Sequence, residues 1–126
     1  QSLILCPTRE LCLQIAGDLN DYSKYITGLR VLPVYGGSSI DSQIRALKQG
    51  VHIIVATPGR LLDLMERKTV SLTTIQNVVM DEADEMLNMG FTDSINAILA
   101  DVPQERNTYV TPKKSLSDGK MKVQAT

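Results

Sequence analysis

Apolar residues along this chain come in short solid runs, separated by longer stretches in which they recur every third or fourth position. Leu3-Ile4-Leu5-Cys6 is one such run, stopped by Pro7, and it predicts a buried strand. From Arg9 to about Tyr25 the apolar positions Leu11, Ile15, Leu19 and Tyr22, with Ile26 just beyond, predict a helix with one apolar face. Val31 to Tyr35 predicts a second strand, ended by Gly36-Gly37, and Ile40, Ile44 and Leu47 a second helix, closed by Gly50 in the usual glycine stop position. His52 to Ala56 and Asn77 to Met80 read as two further strands. Between them lie a leucine-rich helix from Pro58 to about Arg67 and a polar loop holding Thr69, Ser71, Thr73 and Thr74. Helical pieces at Glu85 to Met89 and Asp93 to Ala100 follow. After Pro103 the pattern stops, and Tyr109 to Thr126, with four lysines and one acid, predicts a loosely ordered tail or a weak edge strand.

Strands that are apolar throughout and alternate with amphipathic helices indicate a parallel sheet covered on both faces and joined by right-handed crossovers. The fold class is α/β. At 126 residues, 43% of them hydrophobic, the chain has the size and core of one domain.

The formal net charge of -1 gives no global positive field, so any affinity for nucleic acid must arise from local geometry. Cys6 and Cys12 are spaced for neither a zinc site nor a disulfide framework, and are expected to be buried reduced thiols. No apolar stretch approaches membrane-spanning length and the N-terminus lacks a signal pattern. A cytoplasmic-type compartment is therefore expected. His52, the only histidine, sits in a strand pattern and is read as structural.

The chemistry is concentrated where strands end. Asp81-Glu82-Ala83-Asp84 closes the Val78-Val79-Met80 run, which puts two adjacent carboxylates where open α/β sheets gather ligands. There a first Asp can hold Mg²⁺ and a following Glu can orient or deprotonate a water. The alternative is that these acids complement a helix dipole and need no ligand. Two other junctions, Pro7-Thr8-Arg9-Glu10-Leu11 and Thr57-Pro58-Gly59-Arg60, each place a threonine at an N-cap and an arginine in the first helical turn. An arginine there opposes the helix dipole. Backbone N–H groups, a threonine hydroxyl and a guanidinium can instead converge on a phosphate, with Gly36, Gly37 and Gly59 allowing close approach of a sugar–phosphate chain. Taken singly, each site is equally consistent with a capped helix whose arginine is solvated or salt-bridged, for instance Arg60 with Asp63.

Pro7-Thr8-Arg9-Glu10-Leu11 resembles motif Ia of the DEAD-box RNA helicases, Gly36-Gly37 their double-glycine motif, Thr57-Pro58-Gly59-Arg60 motif Ib, and Asp81-Glu82-Ala83-Asp84 motif II. Met86-Leu87-Asn88-Met89-Gly90-Phe91 is similar to the segment that follows motif II. The resemblance covers roughly residues 1–108, leaving 109–126 as a divergent basic tail. It implies part of a RecA-like first domain of a two-domain ATPase that separates RNA duplexes, with ATP and Mg²⁺ as cofactors and RNA as partner. By that resemblance Asp81 would reach Mg²⁺, Glu82 would position the attacking water, and Asp84 would couple nucleotide state to the site. Thr8, Arg9, Gly36, Gly37, Thr57, Gly59 and Arg60 would contact RNA backbone, with little sequence specificity.

The chain also departs from the family pattern. It contains no Gly-x-x-x-x-Gly-Lys-Ser/Thr phosphate loop, and its one Gly-Lys pair, Gly119-Lys120, has Lys114 and Met121 where that motif needs glycine and a hydroxyl. The adenine-reading segment and the second helicase domain are also missing. The expectation is therefore a fragment inactive by itself, binding neither ATP nor Mg²⁺ tightly, with a non-catalytic RNA- or protein-binding module as the alternative. An unrelated α/β domain whose acids merely cap a helix is a further rival. The family's apolar strand into motif III is not evident after Asn107-Thr108, and Gln124-Ala125-Thr126 fits either a degenerate motif III or a chance match. Without the phosphate-loop strand the sheet is expected to expose an edge, which either self-associates or is covered by the tail at Met121 to Ala125.

Overall fold

Runs of four residues rich in Leu, Ile and Val form the strands, and the stretches between them fold back as helices over the sheet. The computed structural model describes residues 1–26, 28–113 and 124–125. Five strands run parallel: β1 (Ser2–Leu5), β2 (Val31–Val34), β3 (Ile53–Ala56), β4 (Asn77–Met80) and β5 (Asn107–Val110). A two-residue strand, β6 (Gln124–Ala125), lies antiparallel to β5, and the order across the sheet is β2-β3-β1-β4-β5-β6. The helices are α1 (Arg9–Ser23), α2 (Ile40–Lys48), α3 (Pro58–Glu66), α4 (Ala83–Asn88) and α5 (Thr92–Asp101). Among the described residues no helix is long and apolar enough to cross a membrane.

Alternation along each strand splits the core in two. Leu3, Leu5, Ile54, Ala56 and Val78 pack with Leu61 and Leu64 of α3, Met86 of α4 and Ile95 and Ile98 of α5. On the opposite face Ile4, Ile53 and Val55 pack with Cys12, Ala16, Ile15 and Leu19 of α1. Both cysteines are free and fully buried, as expected, and Cys12 Sγ lies 3.0 Å from the Val55 carbonyl oxygen. The Cys6 thiol is pushed far up by the neighbouring Cys12 side chain and by burial, which keeps it protonated. Pro33 is tolerated in β2 because that strand is at the sheet's edge.

Three expectations need correction. The apolar face of α1 does not extend to Tyr22 and Ile26, which are 75% and 58% exposed. A 15-residue helix is about 22 Å long and a four-residue strand only about 13 Å, so the last turn overhangs the sheet. Second, Asn107–Val110 is a full parallel strand beside β4, running through the point where the periodicity ends. Its buried Thr108 escapes an apolar count because the hydroxyl accepts a hydrogen bond from Arg106 Nε at 3.1 Å. Third, His52 precedes β3 instead of opening it. Its role is structural nonetheless, since Nδ1 accepts from the Arg30 N–H at 3.0 Å. Of the proposed tail strand, Gln124–Ala125 pairs with Val110 and Tyr109, while Met121 to Val123 and Thr126 lie outside the described residues.

Candidate functional site

The strand register brings every singled-out motif to one edge. Leu5 pairs with Ala56 and Met80, Ala56 with Val34, and Met80 with Val110, so all five parallel strands end level. Backbone bonds carry the ladder one residue further: Cys6 N–H to Ala56, Thr57 N–H to Val34, Asp81 N–H to Leu5 and Thr111 N–H to Met80, at 2.8 to 3.0 Å. Across that edge the order is therefore Gly36-Gly37, Thr57, Thr8-Arg9, Asp81-Glu82 and Thr111. Cationic and glycine-bearing junctions occupy three neighbouring positions, and the acids begin at the fourth.

Arg9, Gly37 and Arg60 come together on the first part. Thr8 caps α1, its Oγ1 accepting from the Leu11 N–H at 3.2 Å. The Arg9 guanidinium stacks over the Tyr35 ring at 5.1 Å from its centroid. Gly37 adopts a left-handed φ of +82°, and a Cβ there would meet Arg9 Nη1 at 3.4 Å. Glycine thus serves both the turn and the arginine's position. Added Cβ atoms at Gly36 and Gly59 would meet nothing within 4 Å, so the backbone there is open to approach. Thr57 occupies the N-cap position of α3, but its side chain makes no capping bond. Arg60 does not pair with Asp63, which instead binds Arg67 at 3.2 Å. Arg60 Nη1 donates to the Ser38 carbonyl at 3.1 Å and to Gln43 Oε1 at 3.0 Å, tying α3 to the glycine loop.

The acids are held differently from helix caps. Glu82 stands at the N-cap of α4 in the left-handed region, φ 52° and ψ 50°, with no side-chain capping bond. For a non-glycine residue that conformation costs about 1–2 kcal/mol, a local strain located at the junction itself. Asp81 Oδ1 accepts from the Thr111 hydroxyl at 2.6 Å, the Ala83 N–H donates to the Thr111 carbonyl at 2.9 Å, and Asp84 Oδ1 accepts from the Lys113 N–H at 2.8 Å. Lys113 also pairs with Glu85 at 3.6 Å. Thr111–Lys113 therefore contacts Asp81, Ala83, Asp84 and Glu85. Beside the acids opens a cleft of about 380 Å³, lined by Leu11, Gln14, Ile15, Asp18, Asp81, Glu82, Pro112 and Lys113.

Burial pushes the Glu82 carboxyl above the usual range; the Asp81 charge adds to the push and Lys113 partly offsets it. A carboxyl whose folded pKa is raised contributes its full stability below its unfolded pKa and loses it as pH rises through the folded one. Glu82→Gln, permanently neutral, should therefore match the unsubstituted chain in thermal midpoint near pH 4 and exceed it near pH 7. Melting curves across that range check this; equal midpoints at both pH values contradict it.

Among the described residues no three His, Cys, Asp or Glu side chains gather as a metal cage. Mg²⁺ is commonly held by one or two carboxylates, its own waters and phosphate oxygens, so Asp81 fits a magnesium site shared with phosphate oxygens and not a self-sufficient one. No phosphate loop accompanies them in the sequence.

The model of the DEAD/DEAH box helicase family matches residues 1–114. This chain belongs to that family. It is 51% identical over 108 residues to the ATP-dependent RNA helicase DeaD of Buchnera aphidicola from Acyrthosiphon pisum, covering 86% of this chain and 18% of that protein. It is 53% identical over 110 residues to the DEAD-box ATP-dependent RNA helicase CshA of Bacillus cereus, covering 87% and 21%. The crystal structure of the yeast DEAD-box splicing factor Prp28 superposes with a TM-score of 0.81 at 34% identity, over 90% of this chain and 28% of that one. A hypothetical ATP-dependent RNA helicase from Sulfolobus tokodaii gives 0.79 at 41% identity, over 86% and 32%. The RecA-like α/β class expected from the motifs is the class found, and the DEAD-box chain spans about a fifth of the length of these curated relatives.

Motif spacing had not pointed to Tyr35, Ser38, Gln43, Thr111 or Lys113. Gln43 did leave a signal, because it interrupts the Ile40, Ile44, Leu47 stripe at a position that should be apolar. Thr111 left none, since it follows the strand that periodicity missed.

Proposed function

We propose that this chain is the RNA-gripping and acid-bearing part of the first motor domain of an ATP-dependent RNA helicase. The observation that carries the reading is the convergence of Arg9, Gly36-Gly37, Thr57 and Arg60 on one sheet edge, next to Asp81 and Glu82. Thr8, Arg9, Gly36, Gly37, Thr57, Gly59 and Arg60 bind the sugar–phosphate backbone through guanidinium groups, hydroxyls and exposed main chain. Contacts of that kind carry no base information, so the grip is indifferent to sequence.

In a complete helicase, ATP with Mg²⁺ would supply the phosphoryl-transfer chemistry. Asp81 would hold the cation, its carboxylate steadied by Thr111; Glu82 would orient the water, its raised proton affinity suiting it to accept a proton; Asp84 links that site to Thr111–Lys113. Without a phosphate loop the chain alone positions no triphosphate, and positioning is most of phosphoryl-transfer catalysis. The buried free thiols favour a reducing, cytoplasmic-type setting. Self-association through the β5 edge is the weaker reading of that edge, because Gln124–Ala125 already pairs with it.

Two assays on the 126-residue chain test the proposal. Fluorescence anisotropy with labelled oligo-U and oligo-A should give similar affinities; absence of binding, or a strong preference for one base, contradicts the grip. With ATP, Mg²⁺ and RNA the chain should release no phosphate. RNA-stimulated release that disappears in Glu82→Gln contradicts the assignment of a partial site.

A further inference from the structure

Gln43 is 5% exposed, a buried amide on the otherwise apolar stripe of α2, and all its described bonds reach outside its own helix. Its Nε2 donates to the Tyr35 carbonyl at 3.2 Å and to Ser38 Oγ at 3.0 Å, bracketing Gly36 and Gly37 from both sides. Its Oε1 accepts from Arg60 Nη1 at 3.0 Å. Arg60 Nη1 also reaches the Ser38 carbonyl, so the amide, the serine and the guanidinium form a closed ring of hydrogen bonds. Tyr35, whose carbonyl Gln43 fixes, is the residue whose ring carries the Arg9 guanidinium. Three junctions from three strands are thus joined through one side chain.

A buried amide is costly unless satisfied, and this one spends its hydrogen bonds on groups that the proposed grip uses. In Arg60 only Nη1 is engaged, and among the described residues Nε and Nη2 make no hydrogen bond. One end of the fork is anchored while the other donors remain for a ligand. We propose that Gln43 is a positioning residue for RNA-backbone binding, acting through Arg60 and the Tyr35–Ser38 loop without touching RNA itself. This rests on the reading of the edge as an RNA grip. Preorganisation is the physical gain, because a guanidinium already held in one orientation loses less freedom on meeting a phosphate.

Two variants divide the role. Gln43→Met keeps length and fills the volume but removes every polar bond. Gln43→Glu keeps an acceptor for Arg60 while losing the amide's donation to the Tyr35 carbonyl. Arginine side-chain NMR on the free chain gives a reading independent of RNA. Rotation of the Arg60 guanidinium about Nε–Cζ should be slow in the parent and in Gln43→Glu, and fast in Gln43→Met. In anisotropy assays with oligo-U, Gln43→Met should lose roughly tenfold in affinity, as for a bond to a charged group. Adding Arg60→Ala to Gln43→Met should cost less than about twofold more, because the two substitutions break one coupled unit.

Rotation of Arg60 that stays slow in Gln43→Met, or losses that simply multiply in the double variant, would overturn the proposal. If Gln43→Met fails to fold, Gln43→Glu decides: fast Arg60 rotation in that variant overturns it. A parent chain that binds no RNA removes the grip reading and with it the RNA part of this proposal. The NMR comparison then still decides separately whether Gln43 holds Arg60.

Discussion

Leu61→Ala should destabilise the chain by about 3 kcal/mol, lowering its thermal midpoint by roughly 12 °C. Leu61 is fully buried in the first half of α3, within the cluster that includes Leu5, Ala56, Leu64 and Ile98. Truncating it leaves a cavity against four-residue strands that have little freedom to collapse inward. Since Arg60 precedes Leu61 and is tied to Ser38 and Gln43, the same loosening should weaken RNA binding even below the new midpoint. Urea unfolding is the check: the midpoint concentration should fall with the slope unchanged. A loss under about 1 kcal/mol would mean that α3 does not pack on the sheet as described.

The second large effect concerns the grip. Arg9→Ala/Arg60→Ala should weaken binding of single-stranded RNA by about 2 kcal/mol, roughly thirtyfold, at low salt and to a similar degree for every sequence. Neither side chain is fully buried and neither belongs to the main core clusters, but removing Arg60 leaves the buried Gln43 Oε1 without its partner, so the thermal midpoint should also fall, and binding is compared well below it. Arg9 is attached through stacking on Tyr35 and Arg60 through two hydrogen bonds, so removing the pair strips two positive charges that reach the glycine loop.

How far the sequence carried the account depended on what each element buries. Strands such as Ile53–Ala56, apolar on both faces, stood out from composition alone, and Pro58 and Gly50 marked a helix start and stop where the structure has them. β5 was hidden because two of its four residues, Asn107 and Thr108, are polar, and side-chain bonds to Asn77 and from Arg106 make polar residues acceptable there. The junction chemistry at Arg9 and Arg60 was visible as a local rule broken twice, and that at Asp81 as adjacent acids closing an apolar strand. The partners that hold those groups were not, because Arg60–Gln43 and Asp81–Thr111 are 17 and 30 residues apart and depend on the sheet order. Asp63, four residues before Arg67 on the same helix turn, simply had a nearer partner than Arg60.

The most direct test of the central claim, that this sheet edge grips the RNA backbone by charge, is the salt dependence of binding. Each phosphate neutralised on a single strand contributes a slope of about -0.7 in log affinity against log salt. The parent chain should bind more weakly as salt rises, and Arg9→Ala/Arg60→Ala should bind with a slope shallower by about 1.4, the share of two contacts. Parallel salt titrations of the parent and the double variant with oligo-U measure this. Identical slopes for the two proteins would contradict the account and remove Arg9 and Arg60 from the RNA-binding surface.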